Sequence, residues 1–499
     1  MVGVPGARDD HVAGCRRARA QEDTLVGAAP RRRRTTAAVA VLLTGLLLAG
    51  CTGTGGTGGS GDADGSASAL TSASSSASTA TGERAELTLG LWGAKPVVRA
   101  YRRAVQRYNA QSVLAHVTLT VWKDREDAMS DIEAGDVPDI YLASRRDLAW
   151  LLDHDLTKPV DELLDERFVD FGDDYSRDAL EAFSSDRRLQ CMPTTVDPQV
   201  VYYNTDLIDF EEMAAKGKDV PSDPYTSWTF DQALVAARWA TSPRHGDAEA
   251  GIYIDPSLGG IAAFLYSGGG QLFDDEDSPT SLALSSDSDV DALERILKVM
   301  RSSRLSLPAD EENQADAVKA FEKGDLAMMV GTRSMVPELR KSGVSFDVMP
   351  IPGLDSQATV GETQAFCLDP GTSSLAGSAD LLAYLVSDEV MRPVAATGYV
   401  VPANQSVALS NSFVQKSQQP AHASTFTYTL RHLKTAPLLT EWDELLSSVN
   451  PLIEGMVTQT DKVDVPLQTS IIDSLSREIL PQPESSEESS DGASAGSDG

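Results

Sequence analysis

Residues 86–92 read ELTLGLW, in which apolar side chains alternate with small or polar ones. A period of two predicts a β-strand. The next stretch predicts a helix with one apolar face, because its large side chains recur at three- and four-residue spacing: Val97, Val98, Tyr101, Val105 and Tyr108. Alternation returns at 116–122, a short helical pattern covers 125–134, and residues 137–144 predict a third strand. This order predicts an open α/β sheet that binds ligands at the carboxyl ends of its strands.

The rest of the chain continues to alternate helical and strand patterns. Thr229 and Gln232 have the spacing of a capping box at the start of a helix that continues to Trp239. The remaining patterns predict helices at 289–301, 316–323 and 378–386, strands at 326–330 and 346–349, and three or more helices within 426–479.

Charge and composition narrow the function classes. The 499 residues carry 42 basic and 74 acidic side chains, for a formal net charge of −32. This balance disfavours a nucleic-acid binder and electrostatic attachment to anionic lipid, since both need clustered Lys and Arg. The 6 histidines are scattered and form no HExxH pair, which disfavours a zinc hydrolase. We expect no metal and no cofactor.

The N-terminal region indicates export and anchoring. Residues 1–50 have the Arg-rich flank and short apolar run of a secretory signal, and the run ends in LLAG before Cys51, which resembles a bacterial lipobox. The resemblance implies that Cys51 is lipidated and becomes the first residue, followed by a Gly/Ser/Thr-rich tether to residue 83. The alternative is an uncleaved apolar stretch with an incidental cysteine. Residues 484–499 predict a disordered acidic tail.

The folded chain from 86 to 480 resembles the extracellular solute-binding proteins of bacterial ABC importers, the family that includes maltose-binding protein. The resemblance depends on the order of several short pieces: PDI at 138–140, MP at 192–193, VYYN at 201–204, SW at 227–228, GGG at 268–270, FEKG at 321–324, AMMVG at 327–331, GYVVP at 398–402 and IEG at 453–455. It implies two lobes, each an open α/β sheet flanked by helices, joined by hinge strands. The implied boundaries are 84–192 plus 367–398 for lobe 1 and 198–360 plus 403–480 for lobe 2.

The resemblance implies a monomeric receptor whose lobes close on a small polar solute, most often a sugar or oligosaccharide in this family. A membrane permease then takes the solute, and no bond is made or broken. Two alternatives stay open: a lipid-anchored polysaccharide-acting enzyme and a sensory receptor without transport. The sequence contains no GxSxG elbow that would favour the enzyme.

Nine residues are candidates for contact with the solute. Trp92 follows the first strand and offers an apolar face to a sugar ring, or else belongs to the core. Asp139 accepts hydrogen bonds from a polyol or caps a turn, and Ser144 follows the third strand near the same rim, next to Arg145. Alternation after the first crossing points one of Tyr202 and Tyr203 inward. The other candidates lie on later loops and strands: Tyr266, Gly270, Arg333 and Glu362.

Two of these positions depart from the family's pattern. Many sugar binders of the family place a Trp where this chain has Gly331-Thr332-Arg333-Ser334, and aromatic or glycine residues where it has Gly361-Glu362-Thr363-Gln364. Arg333 instead suits a carboxylate or phosphate, or is a solvated surface arginine. The loss of aromatic residues weakens the expectation of a sugar ligand.

The resemblance also implies a disulfide between Cys191 and Cys367. The two cysteines flank predicted crossings, and in the resembling fold those stretches are neighbouring hinge strands. An exported protein meets an oxidising environment that preserves such a bond. The alternative is a pair of buried free thiols.

Overall fold

A computed structural model describes residues 84–170, 172, 174–307 and 313–482, which all belong to one compact unit, Ala80–Gly499. The predicted signal peptide at 1–50, the lipidation of Cys51, the tether to residue 83 and the tail at 484–499 lie outside the described residues. None of the helices within the described ranges is long and apolar enough to cross a membrane.

The strands are β1 (Ala85–Leu91), β2 (Ala115–Val121), β3 (Ile140–Ser144), β4 (Ser184–Ser185), β5 (Arg188–Leu189), β6 (Cys191–Pro198), β7 (Val200–Asn204), β8 (Met328–Gly331), β9 (Phe346–Met349), β10 (Thr359–Leu368) and β11 (Leu433–Lys434).

The helices are α1 (Lys95–Gln111), α2 (Arg125–Glu133), α3 (Leu148–Asp153), α4 (Asp161–Asp165), α5 (Arg177–Ala182), α6 (Phe210–Ala215), α7 (Phe230–Ala240), α8 (Leu258–Ser267), α9 (Asp287–Met300), α10 (Gln314–Lys323), α11 (Val336–Ser342), α12 (Leu375–Leu385), α13 (Asp388–Ala395), α14 (Gln405–Ala408), α15 (Asn411–Val414), α16 (Ser424–Thr429), α17 (Trp442–Thr458) and α18 (Val465–Ile479).

The first sheet confirms the predicted strand–helix–strand–helix–strand unit. Its order is β11-β10-β3-β1-β2, with β6 paired to the other side of β10. Strand β1 runs parallel to β2 and β3, and β10 runs antiparallel to β3 and β6. The predicted apolar face of α1 is buried, which explains why its large side chains recur at helical spacing.

The second sheet is smaller and antiparallel, with the order β8-β7-β9. Helix α7 stands beside it and begins with the predicted capping box, in which Thr229 accepts from the Gln232 backbone N–H and Gln232 accepts from that of Thr229. The chain has two apolar cores, one that includes β1 and one that includes α7. Strand β7 lies between them, with one of its faces packed into each core. The two-lobed α/β class predicted from the sequence is therefore correct.

The strands that cross between the lobes are joined covalently. Cys191 of β6 stands opposite Cys367 of β10 in antiparallel register, and the two residues form the predicted disulfide. Both cysteines are fully buried. The bond and the β6–β10 ladder together fix one hinge strand against the other.

The lobe boundaries stay a prediction. Helices α14 and α15, which the predicted division assigns to lobe 2, pack against α13 of lobe 1. The backbone N–H of Gln405, at the start of α14, donates to the Asp174 carbonyl. Residues near 405–414 thus lie with the first lobe's helices.

Candidate functional site

The strand ends place one carboxylate beyond the edge of the first sheet. Strand β3 ends at Ser144, and β10 pairs with it so that Gln364 stands opposite Ser144. Because β10 is antiparallel, its earlier residues extend past that edge, and Glu362 lies two positions beyond it. On the other side of β10, Glu362 stands opposite Asp197 of β6. Two acidic residues therefore stand directly opposite each other in the β6–β10 pair.

Two cavities meet at Glu362. The larger, of about 250 Å³, has a lining that includes Arg145, Arg146, Gln199, Tyr266, Thr332, Lys434 and Trp442. The smaller, of about 210 Å³, is lined by Trp92, Tyr101, Asp197, Ser334 and Tyr399, among others. Glu362 belongs to both linings. Each cavity approaches the lower end of the size range of small-molecule sites.

Glu362 is held by two donors from the end of β3. The Ser144 hydroxyl donates to Oε1, and Arg146 Nη2 lies 3.4 Å from Oε2. Ser144 is itself positioned, because its backbone N–H donates to Asp147 Oδ2 over 2.9 Å. Burial raises the pKa of Asp147 to about 6, although Arg125 Nε donates to its Oδ1 over 2.7 Å.

Asp197 lines the smaller cavity beside Glu362. Its Oδ1 accepts the Arg333 backbone N–H over 2.9 Å. Burial raises the pKa of Asp197 to about 7, and the negative charge of Glu362 adds to the rise. This carboxyl group is therefore able to donate or accept a hydrogen bond near neutral pH.

Aromatic residues contribute to both cavities. In the smaller cavity, the Trp92 indole N–H donates to the Leu142 carbonyl over 3.1 Å, so the apolar rather than the polar part of the ring is available. In the larger cavity, the Tyr266 hydroxyl donates to the Glu276 carboxylate over 3.0 Å. Trp442 joins it from α17, with its indole N–H bound to the Pro437 carbonyl over 3.2 Å. Ligand contacts by Trp92, Tyr266, Ser144 and Glu362 stay predictions.

The structure corrects the expectation for Asp139. This residue precedes β3 and so lies at the amino end of the sheet, opposite the edge that carries the cavities. Its carboxylate accepts from the backbone N–H of Thr88 over 2.8 Å and of Ser373 over 3.1 Å. The hydroxyls of Thr88 and Thr372 also donate to it, over 2.8 and 2.7 Å. These bonds hold the pKa of Asp139 below its usual range, as in the turn-capping alternative.

Both tyrosines of β7 are core residues instead of cavity residues. The Tyr202 hydroxyl donates to the Thr332 carbonyl over 2.6 Å, and its ring packs against Phe346 and Phe426. Tyr203 points to the opposite face, where it packs against Phe210. Alternation holds, but each face of β7 is covered by a separate apolar core, so neither side chain reaches the cavities.

Arg333 is fully buried, unlike either sequence-based alternative. Its guanidinium carbon lies 4.7 Å from the Phe413 ring centroid and 5.2 Å from that of Phe426. Nη2 donates to the Phe413 carbonyl over 3.0 Å. Burial lowers the pKa of Arg333 to about 10. The neighbours Thr332 and Ser334, rather than Arg333, line the cavities.

Gly270 has a structural role in a separate hollow beside Tyr266. A Cβ atom added at Gly270 would meet Asp289 Oδ1 at 1.8 Å. The glycine therefore permits the close approach of Asp289, which accepts the Gln271 backbone N–H over 3.3 Å.

Several cavity residues escaped prediction as site residues. Arg146 directly follows Arg145, which the sequence already places at the carboxyl end of the third strand, so a sequence signal for Arg146 existed. Asp197, Lys434 and Trp442 had none, because long-range pairing brings them in. Lys434 stands opposite Val360 in the β10–β11 pair.

The chain belongs to the family of bacterial extracellular solute-binding proteins, whose pattern matches residues 104–421. Proteins of this family act outside the cytoplasm, and so does this chain. No curated protein matches the chain in sequence.

Solved structures show the same fold at low sequence identity. An ABC substrate-binding protein from Listeria monocytogenes in complex with cycloalternan matches with a TM-score of 0.66 and 14% identity over 79% of this chain and 99% of that one. The GacH receptor of Streptomyces glaucescens, solved unliganded and with acarbose, matches with a TM-score of 0.64 and 17% identity, over 80% of this chain and 99% of that one. MalX from Streptococcus pneumoniae in complex with maltopentaose matches with a TM-score of 0.62 and 15% identity, over 79% of this chain and 100% of that one.

Proposed function

We propose that this protein is the substrate-binding component of an ABC importer, which binds a saccharide between its two lobes and delivers it to a membrane permease. The observation that carries the proposal is the pair of cavities meeting at Glu362, in a chain of the solute-binding family. Both cavities combine aromatic side chains with hydrogen-bonding groups, as saccharide recognition requires.

The composition of the linings supports a polar ligand with apolar faces. Trp92 and Tyr399 belong to one lining, and Tyr266 and Trp442 to the other, so each cavity has aromatic surface for a ring. Glu362 accepts hydrogen bonds at the point where the cavities meet. The similar structures with cycloalternan, acarbose and maltopentaose support a saccharide ligand.

The proposal includes the anchor and the partner. A lipid on Cys51 and the tether to residue 83 would keep a monomeric receptor near its permease. The role is binding without chemistry, as in the rest of the family. Replacing Cys51 with Ala tests the anchor: release from the membrane fraction, or an uncleaved precursor, supports it, and an unchanged mass and fractionation refute it.

Thermal unfolding against a saccharide panel tests ligand binding. A bound solute raises the free energy of unfolding by RT ln(1 + [L]/Kd), about 2.7 kcal/mol at a hundredfold excess over Kd. Trp92→Ala should remove most of the shift. The matched control is Trp150→Ala, since Trp150 is also half-buried but stacks on His154 and belongs to neither lining. Equal shifts in both variants, or no shift with any saccharide, would contradict the proposal.

A further inference from the structure

Arg145 lines the larger cavity, and two nitrogen atoms of its guanidinium group lack a hydrogen-bond partner among the described residues. It follows β3 directly and lines the cavity. Its Nε and Nη1 atoms are shielded from solvent and find no acceptor among the described residues. Leaving buried donors of a charged group unsatisfied is unfavourable, because their hydration is lost without replacement. Burial accordingly lowers the pKa of Arg145 to about 10.

The other charged groups at this cavity have partners. Arg146 lies 3.4 Å from Glu362, so their charges offset one another. Lys434 has two partners. Its Nζ lies 5.5 Å from the Tyr266 ring centroid, and its positive charge stabilises the nearby Glu276 carboxylate, which also accepts a hydrogen bond from the Tyr266 hydroxyl. Burial raises the pKa of Glu276, whereas the charge of Lys434 lowers it. Within the part of the chain that the structure describes, Arg145 is the cation of this lining left without an acidic or aromatic partner.

Arg333 shows why the position of Arg145 matters. It too is buried with Nε and Nη1 unpaired. Its guanidinium, however, lies over two phenylalanine rings and outside both linings, so the protein itself occupies its faces. Arg145 has no such ring beside it among the described residues, and it belongs to the lining of the larger cavity.

We propose that the solute is an anionic saccharide, and that its carboxylate or phosphate group binds Arg145 in the larger cavity. This inference rests on the proposed function and names the chemical class of its ligand. The planar guanidinium fork pairs with two oxygens of either group, a bidentate charged contact that a neutral hydroxyl does not offer. The net charge of −32 gives no general attraction for anions, so an anionic solute would need a local cationic contact such as Arg145.

Isothermal titration calorimetry with matched probes tests the charge. Trigalacturonate and its fully methyl-esterified form differ only in their carboxylates, glucose 6-phosphate tests the phosphate, and maltotriose is the neutral reference. We expect trigalacturonate or glucose 6-phosphate to bind at least tenfold more tightly than the ester and maltotriose, since a charged hydrogen bond contributes about 1.5–3 kcal/mol. Which of the two anions binds identifies the group.

Variants assign the effect to the residue. Arg145→Gln should weaken the anionic probe by tenfold to a hundredfold and a neutral saccharide by a smaller factor, and the affinity of Arg145→Lys for the anionic probe should lie between those of the wild type and Arg145→Gln. Arg177→Gln is the control, because Arg177 is exposed and pairs with Glu181 on α5. Melting temperatures establish that each variant is folded.

The outcomes separate this inference from the proposed function. If the ester or maltotriose binds as tightly as the anions, or Arg145→Gln keeps full affinity, the inference fails while the saccharide-binding function stands. If no probe binds and the wider saccharide panel also gives no thermal shift, both fail.

Discussion

Removing the Cys191–Cys367 disulfide should destabilise the protein without abolishing ligand binding. The bond joins positions 176 residues apart, and the loop-entropy model gives roughly 5 kcal/mol for a cross-link over that separation. This figure is an upper bound, since residual structure in the unfolded chain reduces the entropy that the bond removes. The double variant Cys191→Ala/Cys367→Ala should therefore lose about 3–5 kcal/mol of unfolding free energy.

The ladder explains why binding should survive. Strands β6 and β10 also pair from Gly361 opposite Pro198 to Cys367 opposite Cys191, so backbone hydrogen bonds still hold the hinge at temperatures where the variant is folded. Urea titration followed by circular dichroism gives the unfolding free energy, and calorimetry gives the affinity. Each single variant should lose nearly as much stability as the double one. A double variant within about 1 kcal/mol of the wild type would refute this reasoning, as would alkylation of Cys191 and Cys367 in the unreduced, denatured wild-type protein.

Three further substitutions test the roles of individual polar side chains in stability and binding. Asp139→Asn should cost about 2–3 kcal/mol of stability, because the carboxylate accepts four hydrogen bonds, and should leave affinity unchanged; chemical unfolding and calorimetry measure the two quantities. Arg333→Met should lower the melting temperature without changing affinity, and a selective loss of binding would return Arg333 to the site. The Asp197 carboxyl has a folded pKa of about 7 against 3.8 in the unfolded chain, so its contribution to stability declines as the pH rises from about 4 to 7. Asp197→Asn should flatten that decline, with its largest gain over the wild type above pH 7; identical pH profiles would contradict this.

Individual strands, helices and caps could be predicted because each depends on the spacing of residues that are neighbours in the sequence. The strand at 86–92, the helix face beginning at Val97 and the capping box at Thr229 each depend on neighbours in sequence, and all three appear in the structure. The disulfide required the family resemblance as well, since no local pattern pairs two cysteines at a sequence separation of 176.

The candidate site was predicted only in part, because it depends on long-range register. Glu362 meets Ser144 and Asp197 through two strand pairings that no local pattern specifies. Tyr202 and Tyr203 alternate as expected, but the sequence does not reveal that both faces of β7 are covered. Arg333 and Arg145 look alike in sequence, and only the packing of Phe413 and Phe426 distinguishes the buried arginine from the one at the cavity.

A crystal structure of the protein with the saccharide that gives the largest thermal shift tests the central claim most directly. The account predicts that the solute occupies the two cavities, with an oxygen within hydrogen-bond distance of Glu362 and a ring against Trp92 or Trp442. A solute bound elsewhere, with both cavities free of it and Glu362 still bound only to Ser144 and Arg146, would contradict the account.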